Sequence, residues 1–192
     1  MKVSPSALAL AAFSIAYPIL AVLAMRTIGP WPVVGLLCVL LMLRGASNIL
    51  GAATTPMTLA LIAVAIAVAS VSVWNPQHAV RLYPFFMNAA SLVAFVNTLV
   101  RPPTMIERFA RIREPNLPES GVRYTRKATI AWCIFIFING AIALWTAFFA
   151  DLNTWALYNG VIAYVAMGLM FGGELLVRRG VKAREAAANA PQ

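Results

Sequence analysis

Arg101 to Lys127 reads RPPTMIERFARIREPNLPESGVRYTRK and is the one sizeable polar segment set between apolar runs. It holds Arg101, Arg108, Arg111, Arg113, Arg123, Arg126 and Lys127 against Glu107, Glu114 and Glu119. A cationic loop between two bilayer-length stretches resists translocation, so this loop is expected in the cytoplasm. The rest of the chain is ordered on either side of it.

Of the 192 residues, 61% are hydrophobic and 11% charged, against about a quarter charged in a soluble domain. The composition is that of a polytopic membrane protein, and because lipid leaves no partner for unpaired backbone groups, the expected fold is an all-α helix bundle. A formal net charge of +9 raises nucleic acid as a partner. The cations, however, flank apolar runs instead of forming a basic soluble module, which argues for orientation and contact with anionic lipid.

Six transmembrane helices are expected, at about 8–25, 31–50, 57–74, 82–100, 128–150 and 155–177, from run length against the roughly 20 residues a crossing needs. Together residues 1–179 form a single bundle, followed by a basic tail, 180–192, expected to fray. The first run lacks a small-x-small cleavage site, since Leu23 and Ala24 lead to Met25 and Arg26, so a retained helix is favoured over a signal peptide. Pro18 is expected to kink it. The second segment is short unless Arg44 snorkels and the helix continues to Leu50. If it is re-entrant instead, five helices cross and the N-terminus moves outside. With six, both termini and the 101–127 loop lie inside, and only Arg26 and Arg81 remain outside.

Within the loop, Pro102 and Pro103 end the fourth helix, and Thr104 with Glu107 has the T-x-x-E spacing of a capping box. Met105, Phe109 and Ile112 then recur at helical spacing with Ile106 beside them, which predicts a short interfacial helix. Arg108, Arg111, Arg113, Arg126 and Lys127 are the candidate contacts for anionic lipid or a protein partner. A plain topology anchor is the simpler reading of the same charges.

Polar residues inside apolar runs are the other candidates. Asn88, Ser91, Asn139, Asn159 and Glu174 each need a partner in lipid, supplied either by interhelical hydrogen bonds or by a substrate. Asn88 and Ser91 share a face, and Glu174 stands four residues before Arg178, a spacing that predicts an ion pair near the interface. Close helix approach is expected at Ala63 and Ala67, along Gly140, Ala143 and Ala147, and at the Gly168/Gly172 pair. Catalytic, metal and cofactor sites are not expected. Cys38, Cys133 and the lone His78 stand apart, and one Asp and one His in separate external loops give acid–base or metal chemistry almost nothing to use.

The order of parts from Leu82 to Arg179 resembles a family of small bacterial inner-membrane proteins encoded in aryl-polyene or xanthomonadin-type pigment gene clusters. The resemblance rests on PTMIERFAR from Pro103 to Arg111, Leu117-Pro118, YTRK from Tyr124 to Lys127, Trp132, NGAIALWTA from Asn139 to Ala147, and the W-x-L-Y-N-G of Trp155 to Gly160. More distantly, the layout is similar to the intracellular septation protein A family, which has a comparable basic loop before a Trp-containing span. The resemblance implies a bacterial inner membrane and envelope-lipid or polyene chemistry, and brings no catalytic residue with it. The expected function is a non-enzymatic membrane protein that assists or scaffolds envelope-lipid or aryl-polyene assembly, with an envelope or polyene-biosynthesis protein as partner. A small transporter or flippase, with Asn88, Asn139, Asn159 and Glu174 meeting in the bundle, is the alternative.

Overall fold

The computed structural model describes residues 17–50 and 56–188, with side chains at 17–42, 58–178 and 180. These residues are all-α: α1 (Tyr17–Thr27), then α2 (Pro30–Leu50), α3 (Pro56–Trp74), α4 (Pro76–Val100), α5 (Met105–Arg113), α6 (Glu119–Phe149), α7 (Leu152–Leu157), a π turn (Tyr158–Ile162) and α8 (Ala163–Ala188). The last three run on as one rod. The basic tail, expected to fray, keeps helical backbone to Ala188.

Three helices among the described residues are long and apolar enough to cross a membrane: Pro76–Val100, Glu119–Phe149 and Leu152–Arg178. Tyr17–Thr27, Pro30–Met42 and Thr58–Trp74 are shorter apolar helices. Among the described residues three helices are therefore both long and apolar enough to cross, where six were expected. The first expected crossing lies partly outside the described residues, as do the Arg44 side chain and the break at Gly51, Thr54 and Thr55.

Helix starts follow their caps. Asn75 accepts the amide of His78 at 3.1 Å and Pro76 pre-sets the first turn, so α4 begins at Pro76 instead of residue 82. Asp151 accepts the amides of Asn153 at 2.9 Å and Thr154 at 3.1 Å and the Thr154 hydroxyl at 2.6 Å. That hydroxyl first, then the amides, hold its carboxyl below the ordinary carboxylate range. α6 starts at Glu119 and not near Ala128. Arg123, Arg126 and Lys127 are good helix formers, and the irregular backbone of the basic loop shrinks to 101–104 and 114–118.

α4 packs between α3 and α6, with α2 outside α3. Gly140, Ala143 and Ala147 are buried on α6, and a Cβ at Gly140 would stand 3.1 Å from Asn88 Cβ. Small residues let the two backbones close here, as expected. Elsewhere the facing differs. On α3 the buried row is Leu61, Val64 and Val68, while Ala63 is exposed and Ala67 half-buried. A Cβ added at Gly168 or Gly172, a pair expected to seat another helix of the bundle more readily than a second copy, would meet nothing within 4 Å among the described residues. The outer surface is apolar, including Leu59, Ile66, Ile134, Phe137, Leu169 and Leu176, which is the surface lipid would cover.

Pro84, inside α4, has no N–H to give the carbonyl of Val80. The Tyr17 hydroxyl of α1 donates to that carbonyl instead, at 3.2 Å. Tyr17→Phe should therefore cost about 1–2 kcal/mol, the scale of one intramembrane hydrogen bond plus a stranded carbonyl. In a Cys38→Ser background, dye labelling of the buried Cys133 thiol on heating gives the melting temperature. An unchanged midpoint would mean Tyr17 is not the needed donor.

Cations sit at both ends of the bundle, unequally. At one end Arg26 donates to Asn153 Oδ1 at 2.7 Å, and Arg81 caps α6 through the carbonyls of Thr146, at 2.9 Å, and Ala150. At the other, α5 and the start of α6 gather the basic loop, where Arg178 of α8 approaches Glu114 at 3.9 Å.

Candidate functional site

Polar side chains meet where α4, α6 and the π turn cross. Asn139, buried on α6, donates to Asn88 Oδ1 at 3.0 Å and accepts the Tyr158 hydroxyl at 2.9 Å. Asn88 in turn donates to the Pro84 carbonyl at 2.8 Å. Each amide thus finds its partner on another helix or on its own backbone, as lipid requires. Asn159 donates separately, to Thr146 Oγ1 at 3.2 Å and to the Trp155 carbonyl at 2.9 Å. The wider π turn aims two consecutive side chains, Tyr158 and Asn159, at the same neighbour, α6.

Ser91 donates back to Met87 O at 2.8 Å. Glu174 joins neither group, standing about 22 Å along the rod from Asn159 at 1.5 Å per residue. Convergence of all four residues Asn88, Asn139, Asn159 and Glu174 is therefore not observed, and only Asn88 and Asn139 bond to each other. Beside them opens a cleft of about 380 Å³, lined by Asn88, Ser91, Asn139 and Asn159 with Tyr17 and Tyr83 among others, so of the five predicted polar residues all but Glu174 border one cleft.

At the basic end, α5 is bolted to the bundle through its own first turn. The Met105 amide donates to Thr98 Oγ1 on α4 at 2.9 Å, the Ile106 amide to Thr129 Oγ1 on α6 at 3.3 Å, and the Thr104 amide to Glu107 Oε2 at 3.3 Å. These are the donors a helix start leaves unpaired. The Glu107 arm of the capping box is as the spacing predicts. Its carboxylate turns inward and is buried, matched by Arg111 at 2.7 Å. The face of α5 against the bundle is thus Thr104, Glu107 and Ala110, while Phe109 and Ile112 are exposed and Met105 and Ile106 half-buried. An outward apolar stripe over an inward ion pair suits a helix lying at a lipid interface.

The five predicted basic contacts divide. Arg111 is occupied by Glu107 and the Pro115 carbonyl, at 3.1 Å. Arg108 donates to Pro103 O at 3.0 Å and Arg126 to Leu99 O at 3.4 Å, both remaining exposed. Arg113 and Lys127 are exposed, with Arg113 at the rim of a second cleft.

That cleft, of about 540 Å³, lies between α5, α6 and α8. Phe95, Phe109, Trp132 and Phe171 wall it, and Arg113, Glu174 and Arg178 supply its charge. It exists because α8 stands off: 11% of the rod's most apolar stretch is buried, against 44% for α6. Phe95 and Trp132, ring centroids 6.4 Å apart, line both clefts and make them neighbours. The predicted Glu174–Arg178 pair is not formed. Arg178 turns to Glu114, and the Glu174 carboxylate has no ion pair within 4.0 Å among the described residues. A one-turn spacing permits a pair, but across the cleft α5 offers Arg178 a carboxylate off its own helix.

Several contributors were not identified from sequence. Tyr158 gave no signal beyond one more aromatic in an apolar run, and Thr98 and Thr129 looked like ordinary small polar residues. Arg178 was expected to pair with Glu174, and its approach to Glu114 was not foreseen. Among the described residues no three His, Cys, Asp or Glu side chains gather as metal ligands. No family model, curated protein or solved structure matches the chain.

Proposed function

We propose that this is a multi-pass protein of the bacterial inner membrane that performs no chemistry itself and holds anionic lipid, or a partner of envelope-lipid or aryl-polyene assembly, on a basic cytoplasmic end. The observation that carries the reading is the charge inventory of that end. Glu107 is consumed internally by Arg111, whereas Arg108, Arg113, Arg126 and Lys127 remain exposed beside the outward apolar stripe of Phe109 and Ile112. Cations next to an apolar stripe fit a headgroup above an acyl layer.

Six crossings belong to this proposal. The 21 helical residues of α2 and 19 of α3 would reach about 31 and 28 Å, the thickness of a hydrocarbon core. Both termini and the basic loop then share the cytoplasm. The pigment-cluster context comes from the resemblance over Leu82–Arg179.

The test is retention of lipid and protein in mild detergent. Arg108→Glu, Arg126→Glu and Lys127→Glu combined should remove most co-purifying anionic lipid or partner, while reporter tags after Pro118 and at Gln192 still report one compartment. Unchanged retention overturns the holding role, and tags in opposite compartments overturn the topology. A transporter or flippase is the second reading, favoured by the largely apolar cleft into which Asn88, Ser91, Asn139 and Asn159 bring polar groups. It predicts movement of a lipid-like substrate by the purified protein in liposomes.

A further inference from the structure

We infer that the cleft between α5 and α8 is a site for one phospholipid carrying a primary amine, with the phosphate held by Arg113 and Arg178 and the ammonium by Glu174. The inference rests on the proposed function only in placing this end at the membrane interface. It departs from it in headgroup, since a basic face alone favours net-anionic lipid.

Three observations combine. The walls are apolar and aromatic, from Phe95, Phe109, Trp132 and Phe171, which suits acyl chain and not a free polar metabolite. Two arginines, Arg113 and Arg178, belong to the same lining, and planar forks of N–H donors match phosphate oxygens. Finally, Glu174 is a half-buried carboxylate on that lining without an ion pair within 4.0 Å among the described residues, because its helical neighbour Arg178 turns to Glu114 at 3.9 Å. A carboxylate within an apolar segment needs a cation. Here the described residues supply none within 4.0 Å, and a carboxylate beside the two arginines would repel a headgroup bearing only negative charge. An ethanolamine-type headgroup carries both required charges a few bonds apart, and its N–H₃⁺ donates where a trimethylated amine has no N–H.

The test loads the full-length protein in nanodiscs with equal amounts of phosphatidylethanolamine, phosphatidylglycerol and phosphatidylcholine of identical chains, then counts lipids retained after mild extraction by native mass spectrometry. Phosphatidylethanolamine should exceed phosphatidylcholine by about tenfold, the scale of one hydrogen bond to a charged group. Glu174→Gln should erase that preference and raise phosphatidylglycerol. Arg113→Gln with Arg178→Gln should lower retention of all three, by roughly twenty-five-fold at about fivefold per arginine. O-phosphoethanolamine without chains should not compete.

On the unmutated protein, N-acetylated phosphatidylethanolamine, which lacks the ammonium, should lose the preference. This arm needs no variant to fold. Equal retention of the three lipids, or of the acetylated lipid, overturns the inference. A preference for phosphatidylglycerol that persists in the Arg113/Arg178 double variant and vanishes on reversing Arg108, Arg126 and Lys127 overturns it while leaving the proposed basic-face function standing. Competition by the chainless headgroup overturns the lipid as occupant.

Discussion

Trp155→Ala is expected to destabilise the bundle by about 3–5 kcal/mol, the cost of removing a buried large aromatic side chain and leaving its cavity. Trp155 is completely buried, the largest such side chain among the described residues. Its indole N–H donates to the Arg81 carbonyl at 3.0 Å. The Arg81 guanidinium in turn closes the end of α6 through Thr146 and Ala150. One ring therefore supports the contact of the last rod with α4 and steadies the residue that caps α6. Trp155→Phe separates the two roles, keeping most of the volume and losing the donor, and should cost about 1–2 kcal/mol. Thermal exposure of Cys133 in a Cys38→Ser background measures both variants. Equal midpoints for the Phe and Ala variants would mean that the lost donor, and not the cavity, sets the cost.

The same residue shows where sequence is informative and where it is not. Polarity is legible one residue at a time. Asn88 and Asn139 stand out inside apolar runs, the Thr104/Glu107 spacing announces α5, and Arg101 to Lys127 marks one end of the molecule. Depth and facing are less legible. Trp155 has the position of an interfacial aromatic, one step after the Asp151–Thr154 turn, yet it turns inward to Arg81.

A helix apolar on every side carries no stripe from which its inward face can be read. On α3 the choice of Leu61, Val64 and Val68 over Ala63 and Ala67 is made by the neighbours. α5, the helix with a strong polar–apolar contrast, follows its expected stripe at Phe109 and Ile112, and departs from it at Glu107 because the ion pair with Arg111 offsets the cost of that burial. The Arg178–Glu114 approach joins residues 64 positions apart and has no local signature. Because the residues of the second cleft come from α4, α5, α6 and α8, that site emerges only from the assembled bundle.

Gly140→Leu should cost about 3 kcal/mol, at the upper end for overpacking, because the collision is with a residue that cannot yield. A Cβ at this position would already stand 3.1 Å from Asn88 Cβ. Asn88 is held on two sides, donating to Pro84 O at 2.8 Å and accepting from Asn139 at 3.0 Å. Moving it aside strands the amide chain that ends at Tyr158, so the steric and hydrogen-bonding penalties are coupled. Gly140→Ala tests the coupling more finely. It gains about 1 kcal/mol in helix propensity while meeting the same contact, so its net effect should be near zero or unfavourable, never the full gain. Asn88→Gly removes the Cβ it meets, and in that background Gly140→Ala should become stabilising. A double-mutant cycle on melting midpoints reads the interaction. Strict additivity would mean that α4 and α6 do not touch at this point, and the close approach on which the mid-bundle polar chain depends would be lost with it.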